Sequence, residues 1–375
     1  MNLSCLQENL SKGLSIVGRA VPTRTTLPIT NNVLLAAEES RLRLTATNLE
    51  MAITCWIGAM VESEGAVTIP ARVLTEFVST LPNDKIELNL SHHTLQLRCA
   101  RFEARISGMD AADFPPIPKV EGIVSTKVEP EMLRRAISHV VFAAASEDAR
   151  PVLTGVHAEI EGNSLILAAA DGFRLAVYTV PMATKCEQRA EFIVPGRTMS
   201  ELQRMLADQE EPVEIVTNPV KSQVAFRLKN IEVVSQLLQG TFPNYKQLIP
   251  QSYGTRATIS AAEFLRATRT ASIFARDSSG IVRVYVEPGT DGGTGKLTIS
   301  ARSEQVGDNT SEVDARVEGE AAKIAFNAKY LIDVLGVLRE DEVILEMSTP
   351  SSPGVISPAG SANYVHVVMP MFVQW

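Results

Sequence analysis

Apolar positions along the chain switch between two periods. Across 129–145, Leu133, Ile137, Val140 and Val141 trace one face of a helical repeat, which predicts an amphipathic helix. The stretches 6–21 and 260–276 have the same character. Runs such as Leu42-Arg43-Leu44-Thr45-Ala46, Leu165-Ile166-Leu167-Ala168-Ala169 and Leu297-Thr298-Ile299-Ser300-Ala301 predict strands. A second kind of helix start also recurs. Val67-Thr68-Ile69-Pro70-Ala71-Arg72, Phe192-Ile193-Val194-Pro195-Gly196-Arg197 and Ile324-Ala325-Phe326-Asn327-Ala328-Lys329 each read as a strand, a Pro or Asn, a basic residue, then apolar positions at helical spacing. They predict helices over 71–81, 196–207 and 327–340.

These landmarks share one ruler. Pro70, Pro195 and Asn327 stand 125 and 132 residues apart, and the three strand runs 123 and 132 apart. Phe114-Pro115, Phe242-Pro243 and Met369-Pro370 stand 128 and 127 apart. Breakers at Phe114-Pro115-Pro116-Ile117-Pro118 and Ile249-Pro250-Gln251-Ser252-Tyr253-Gly254 separate the copies. The chain therefore reads as three copies of helix, strands, helix, strands, with domains expected at 1–120, 125–251 and 252–375. Strands outnumber helices, so the expected class is α+β, with the two helices of each domain packed on antiparallel sheets. Edge strands at the ends of such units need partners. Head-to-tail pairing gives a curved array, and closing it into a ring removes the exposed ends.

Composition narrows the chemistry. With 375 residues, 45% of them hydrophobic, the chain can fill several cores. No apolar run approaches the roughly 20 residues that cross a bilayer, so no membrane is expected. Met1-Asn2-Leu3-Ser4-Cys5 lacks the basic start of a secretory leader. Cys5, Cys55, Cys99 and Cys186 are scattered, without a Cys-x-x-Cys pair, which argues against a disulfide scaffold or zinc site and for a reducing, cytoplasmic setting. His92, His93, His139, His157 and His366 show no metal-ligand spacing, and no metal or other cofactor is expected; His92-His93 reads as a turn. Gly289-Thr290-Asp291-Gly292-Gly293-Thr294-Gly295-Lys296 resembles a phosphate loop, but its first glycine is one position early and Leu297 stands where Ser or Thr is needed. It reads as a hairpin loop. Neither a nucleophile elbow nor a dinucleotide fingerprint occurs, so catalysis has no evident seat.

A net charge of −8 opposes nucleic acid as a partner. Its placement changes the picture. The six predicted helices hold twelve basic and eight acidic side chains, +4, which leaves −12 on the rest of the chain. Mildly basic helices on an acidic chain permit a phosphate-facing surface, although ordinary solvated helix faces would show the same bias.

Seven segments carry a family resemblance: Thr26-Leu27-Pro28-Ile29, Thr47-Asn48-Leu49-Glu50-Met51, Pro70-Ala71-Arg72, Ala112-Asp113-Phe114-Pro115, Asp171-Gly172-Phe173-Arg174-Leu175-Ala176, Phe242-Pro243-Asn244-Tyr245 and Val367-Val368-Met369-Pro370-Met371. In this order and spacing the chain resembles the bacterial DNA polymerase III beta subunits, the replicative sliding clamps, from end to end. The resemblance implies a non-enzymatic, head-to-tail homodimer, a six-domain ring that encircles duplex DNA regardless of sequence and confers processivity. Twelve helices side by side at about 10 Å would give a circumference of roughly 120 Å and a hole of roughly 28 Å, room for a duplex. It also implies a peptide groove used by the DNA polymerase III alpha subunit, the clamp loader and other proteins with clamp-binding motifs. Its walls would be Gly172, Phe173, Arg174, Leu175, Pro243, Leu248, Val367, Val368, Met369, Pro370 and Met371, with Arg150 and Val152 nearby. Arg24 matches a DNA-contacting arginine, and the helix residues Arg72, Arg134, Arg135, Arg197 and Arg204 are further DNA-facing candidates. At the dimer seam, Ile273 and Phe274 would meet the first domain near Met109.

The sequence departs from the common family pattern at three points. Phe173 stands where a histidine is usual, Ala170 replaces a threonine, and the chain ends Phe372-Val373-Gln374-Trp375 instead of in a short basic-aliphatic tail. All three make the groove bulkier or more apolar. They motivate an alternative, an accessory clamp paralogue with altered partner or inhibitor specificity. A β-rich enzyme has no supporting constellation.

Overall fold

The computed structural model describes the chain except for Ile123, Glu147, Asp148, Pro219, Asp277, Ser278 and Asp291, Gly292 and Gly293. The first repeat runs β1 (Asn2–Leu6), α1 (Gln7–Val17), β2 (Asn32–Glu38), β3 (Arg41–Thr47), β4 (Met51–Gly58), β5 (Met60–Ser63), β6 (Gly65–Pro70), α2 (Ala71–Thr80), β7 (Lys85–Ser91), β8 (Thr94–Cys99) and β9 (Phe102–Ser107). The second runs β10 (Val124–Val128), α3 (Pro130–Val140), β11 (Gly155–Ala170), β12 (Arg174–Pro195), α4 (Gly196–Met205), β13 (Val213–Asn218), β14 (Gln223–Arg227) and β15 (Ile231–Gln236). The third runs β16 (Thr255–Ser260), α5 (Ala261–Ala275), β17 (Ile281–Glu287), β18 (Gly295–Ser303), β19 (Gly307–Gly319), β20 (Ala322–Asn327), α6 (Ala328–Val337), β21 (Glu342–Met347), β22 (Gly354–Pro358) and β23 (Tyr364–Val368). Among the described residues, the six α-helices fall inside the six predicted stretches.

The chain divides into two compact units, and their boundary does not follow the repeats. One unit comprises Met1–Glu131, Met182–Ala190 and Glu201–Leu237; the other comprises Met132–Pro181, Glu191–Ser200 and Leu238–Trp375. Each is thus one whole repeat plus part of the second. Strand pairing is the reason, because the second repeat contributes strands to two different sheets.

In the first unit, β5-β1-β7-β8-β9 form one sheet and β10-β13-β14-β15-β4-β3-β2-β6 another. Here β15 of the second repeat lies antiparallel to β4 of the first, with Val233 opposite Ile53 and Ser235 opposite Met51. Helix α1 buries Leu10, Leu14 and Val17. Gly13 on the same face lets α1 close on the sheet: a Cβ there would lie 2.6 Å from Leu44 Cδ1. In the second unit, β11-β12-β23-β22-β21-β16-β19-β18-β17-β20 form a single sheet. There β23 of the third repeat lies antiparallel to β12 of the second, with Val368 opposite Arg174 and Tyr364 opposite Tyr178.

One backbone contact marks the end of every repeat. The amide of Met109 donates to the Thr68 carbonyl at 2.9 Å, that of Leu238 to Ile193 at 2.9 Å, and that of Met371 to Ala325 at 2.8 Å. This corrects one mark on the sequence ruler. Phe114 and Phe242 are buried and follow Met109 and Leu238 by five and four residues, so their counterpart in the third repeat is Trp375, not Met369. An apolar residue before proline looks alike in all three places, yet Met369 still belongs to the strand seam, its amide donating to the Phe173 carbonyl at 2.8 Å.

His92 and His93 form the turn between β7 and β8, with His92 at a φ of 56°. The glycine-rich segment joins β17 to β18 as an antiparallel hairpin with Glu287 opposite Lys296; its Asp291, Gly292 and Gly293 lie outside the described residues.

Candidate functional site

The turn between β11 and β12 is built on one aspartate. Asp171 Oδ1 accepts from the amides of Phe173 at 2.9 Å and Arg174 at 3.0 Å, an Asx turn that reverses the chain. Gly172 within it has a φ of +93°, a conformation that favours glycine, and a Cβ there would lie 2.6 Å from Arg150 Nη2, the movable end of an exposed side chain. Arg150 lies over the turn, its Nη2 donating to the Asp171 carbonyl at 3.3 Å. Phe173 is 57% exposed, and its ring stacks on Tyr330 of α6 with centroids 6.4 Å apart.

Arg174, expected on the groove wall, is held from below the turn. It is 7% exposed, and its guanidinium is engaged from three directions. Nε donates to Asp171 Oδ2 at 3.0 Å, Nη1 to Asp333 Oδ2 at 2.6 Å, and Nη2 to the Phe142 carbonyl at 2.7 Å. The same group lies 4.6 Å from the centroid of Tyr330. Arg174 therefore ties the turn to α6 from beneath. Asp333 and Tyr330 escaped the sequence reading because nothing in local spacing links α6 to a turn 159 residues earlier.

Leu175, Val367 and Val368, expected on the walls, are likewise buried and lie at the level of the floor. Leu175 and Val367 belong to a core cluster with Leu153, Ala168, Ala170, Ile193, Phe242, Tyr245 and Val355, against which Val152 and Leu238 pack. Ala170 packs into this core, where a threonine hydroxyl would need a hydrogen-bond partner. The accessible positions are Arg150, Val152, Gly172, Phe173, Pro243, Leu248, Met369, Pro370 and Met371. Together with the buried floor they give the second unit an apolar surface edged by one cation, suited to a short apolar peptide.

The C-terminal tail is held elsewhere. Beyond the Met371 contact to Ala325 of β20, Arg283 Nη2 of β17 donates to the Gln374 carbonyl at 3.0 Å. Lys323 Nζ of β20 stands 5.0 Å from the Trp375 ring centroid. Phe372 is exposed.

Burial holds several titratable groups in their neutral forms. Burial pushes the thiols of Cys5 up to about 12 and Cys55 to about 11, so both stay protonated. His366 is fully buried, its Nδ1 3.1 Å from the Tyr364 hydroxyl. Burial, with the Arg174 charge adding to it, drives His366 down to about 3, while burial raises Tyr364.

The basic candidates differ in their surroundings. Arg24 and Arg197 are exposed. Arg72 pairs with Glu76 at 2.8 Å, Arg204 with Glu201 at 2.9 Å, and Arg135 with Glu340; Arg134 is half-buried. Of the dimer candidates, Ile273 and Met109 are exposed and Phe274 is half-buried. Among the described residues, His157, Glu159 and Glu191 bring three potential metal ligands together, which the linear spacing of histidines did not show.

Comparison with known proteins follows the repeats. Family models match in chain order: the DNA polymerase III beta subunit N-terminal domain over residues 1–118, its central domain over 127–244 and its C-terminal domain over 246–372. The beta sliding clamp of Synechocystis sp. is 34% identical over 396 residues, covering 99% of both chains, and that of Staphylococcus aureus is 31% identical over 363 residues, covering 94% of both. The crystal structure of the Bacillus subtilis DNA polymerase sliding clamp superposes over 100% of both chains with a TM-score of 0.94 at 27% identity. The Pseudomonas aeruginosa DNA polymerase III beta subunit gives 0.91 at 29% identity, again over 100% of both chains. With all three domains matched in order and relatives above 30% identity along nearly the whole length, the chain belongs to the DNA polymerase III beta subunit family, the non-catalytic beta sliding clamps of DNA replication.

Proposed function

We propose that two copies of this chain close head to tail into a six-domain ring that encircles duplex DNA in the cytoplasm and tethers a DNA polymerase, conferring processivity. The carrying observation is that edge pairing between repeats occurs twice in one register. The first residue of β4, Met51, faces Ser235, three residues before Leu238; the first residue of β12, Arg174, faces Val368, three residues before Met371. The same step has one more use. Among the described pairings, β9 is bonded only to β8, and the first half of β19 only to β18. The matching residues are Gly307, first in β19, and Ile106, three before Met109. Pairing them between copies sets Gly307 opposite Ile106 of the partner subunit and Asp308 opposite the partner's Arg105, an attractive pair. Ile273, Phe274 and Met109 would flank this seam.

The domains of the ring are 1–120, 125–251 and 252–375. Arg24, Arg72, Arg134, Arg135, Arg197 and Arg204 would face the phosphates with weak, sequence-independent contacts that permit sliding. The surface around Phe173 would take the clamp-binding peptides of the polymerase alpha subunit, the clamp loader and other replication or repair proteins. The exposed Phe173–Tyr330 stack favours an altered peptide or inhibitor preference, as an accessory clamp would have.

The test is topological. The protein is loaded by its clamp loader onto nicked circular plasmid and sized before and after one linearising cut. Retention on the circle with loss from the linear form is the expected result; equal retention on both would sink the ring. The seam has its own check. Arg105→Glu should weaken dimerisation on the order of 10-fold, and adding Asp308→Lys should restore much of it.

A further inference from the structure

We propose that His157, Glu159 and Glu191 form a binding site for one divalent transition-metal ion, with Zn²⁺ the best fit. Alternation along β11 puts His157 and Glu159, two residues apart, on one face of the sheet, and Glu191 comes from the neighbouring β12. One donor atom from each lies within 4.8 Å of the others. In a tetrahedral zinc site with bonds near 2.1 Å, donors stand about 3.4 Å apart, so a small closing movement completes three ligands. The fourth position is left to water. One imidazole and two carboxylates form a mixed N/O set that favours Zn²⁺, Ni²⁺ or Cu²⁺; three ligands including a nitrogen are a poor match for Ca²⁺ or Mg²⁺.

The surroundings hold two ligands in place before any ion arrives. The His157 ring stacks on Phe242, centroids 5.1 Å apart and 20° from parallel, and lies 5.8 Å from Tyr245. Glu159 is 1% exposed and takes hydrogen bonds from Tyr245 Oη at 3.5 Å and Lys246 Nζ at 3.3 Å. Glu191 is exposed and leaves the socket open on its side. Two carboxylates held side by side repel, and a dication offsets both. Lys246 is the built-in competitor: its side chain is exposed enough to swing into water when an ion takes over the Glu159 charge. Because Lys246 lies in the Tyr245–Leu248 turn, occupancy would be felt next to Leu248 at the peptide surface.

The experiment uses the full chain, stripped with EDTA, dialysed and titrated with ZnCl₂ at pH 7.5 by calorimetry and by competition with a chromophoric chelator. One ion per chain is expected. Glu191→Gln and His157→Gln should each weaken binding by on the order of 10-fold or more, Lys246→Met should tighten it, and a His92→Gln/His93→Gln double variant should leave it unchanged. Circular dichroism melts accompany every variant, and Glu191, being exposed, decides the matter if the His157 variant fails to fold. Absence of binding, or equal binding by the wild type and Glu191→Gln, overturns the proposal.

Discussion

The seam of β4 with β15 and the seam of β12 with β23 use one backbone plan and carry different side chains. Before each seam stands an Asx turn. Asn48 Oδ1 accepts from the amides of Glu50 and Met51 at 3.1 and 2.8 Å, as Asp171 does from Phe173 and Arg174. The carbonyls of Glu50 and Phe173 then accept the amides of Gln236 and Met369, both at 2.8 Å. From there the two part. Met51 packs in the core where Arg174 gathers two aspartates, a carbonyl and a ring. Val233 faces Ile53 where His366 faces Ala176. The first seam sets Val233 and Val234 against Ile53 and Ala52; the second keeps the same joint and adds a polar assembly beneath an exposed aromatic. The two copies share a scaffold, and side-chain exchange at fixed backbone positions gives the second its distinct surface.

Converting the second seam to the first should be costly at Arg174. Arg174→Met leaves Asp171 and Asp333 without their guanidinium partner, and breaking a buried pair from one side costs about 3–5 kcal/mol. Lys329 also reaches Asp333, at 2.7 Å, which places the expectation at the lower end. Urea unfolding of the full chain checks it. A loss under about 1 kcal/mol would mean that Arg174 contributes little to holding the turn.

His366 gives the second seam an acid-sensitive group at the position that Val233 holds in the first. Its folded value near 3 lies below the ordinary 6.5, so protons bind preferentially to the unfolded chain. This contribution to stability is complete above pH 6.5 and is lost as pH falls from 6.5 towards 3. By pH 5 the loss is about 2 kcal/mol. His366→Val copies Val233 into the second seam and should flatten the fall in Tm between pH 7 and 5. An unchanged slope would show that His366 is not the acid-sensitive element.

A smaller contrast lies inside the turns. Gly172 has a φ of +93° and its counterpart Leu49 one of +75°. Gly172→Ala forces a Cβ into a left-handed position and pushes Arg150 aside, for a loss of about 1 kcal/mol. Leu49→Gly relieves strain but frees the unfolded chain, so the two effects nearly cancel, leaving a change under about 0.5 kcal/mol. Thermal melts of the pair separate backbone conformation from side-chain packing.

What could be read from the sequence follows from this division. The helix starts at Ala71, Gly196 and Ala328 were legible because apolar periodicity and the preceding Pro or Asn are local signals. The ruler marks at Leu42, Leu165 and Leu297 held because β-strand register conserves spacing within each copy. The mark at Met369 slipped because an apolar residue before proline arises equally at a strand end and in a linker. Arg174 is legible as a motif residue, but its burial is not, since its partners Asp333, Tyr330 and Phe142 come from elements with no sequence tie to it. The His157–Glu159–Glu191 cluster was hidden for the same reason: its third member arrives across a strand pair.

The mildest substitution separates scaffold from site most cleanly. Phe173 occupies the place that Glu50 holds in the first turn, with the same main-chain role and an exposed side chain. Phe173→Glu should therefore leave unfolding within about 0.5 kcal/mol of the wild type, because its main losses are an exposed ring contact with Tyr330 and some apolar cover. Binding of a fluorescent clamp-binding peptide should fall by about 10-fold or more, since an aromatic anchor is exchanged for a carboxylate on an apolar surface. Weak binding with unchanged stability would place recognition in the side chain at this one position. Loss of both together would mean that the turn itself depends on the Phe173–Tyr330 stack, and that the second copy has diverged in scaffold as well as in surface.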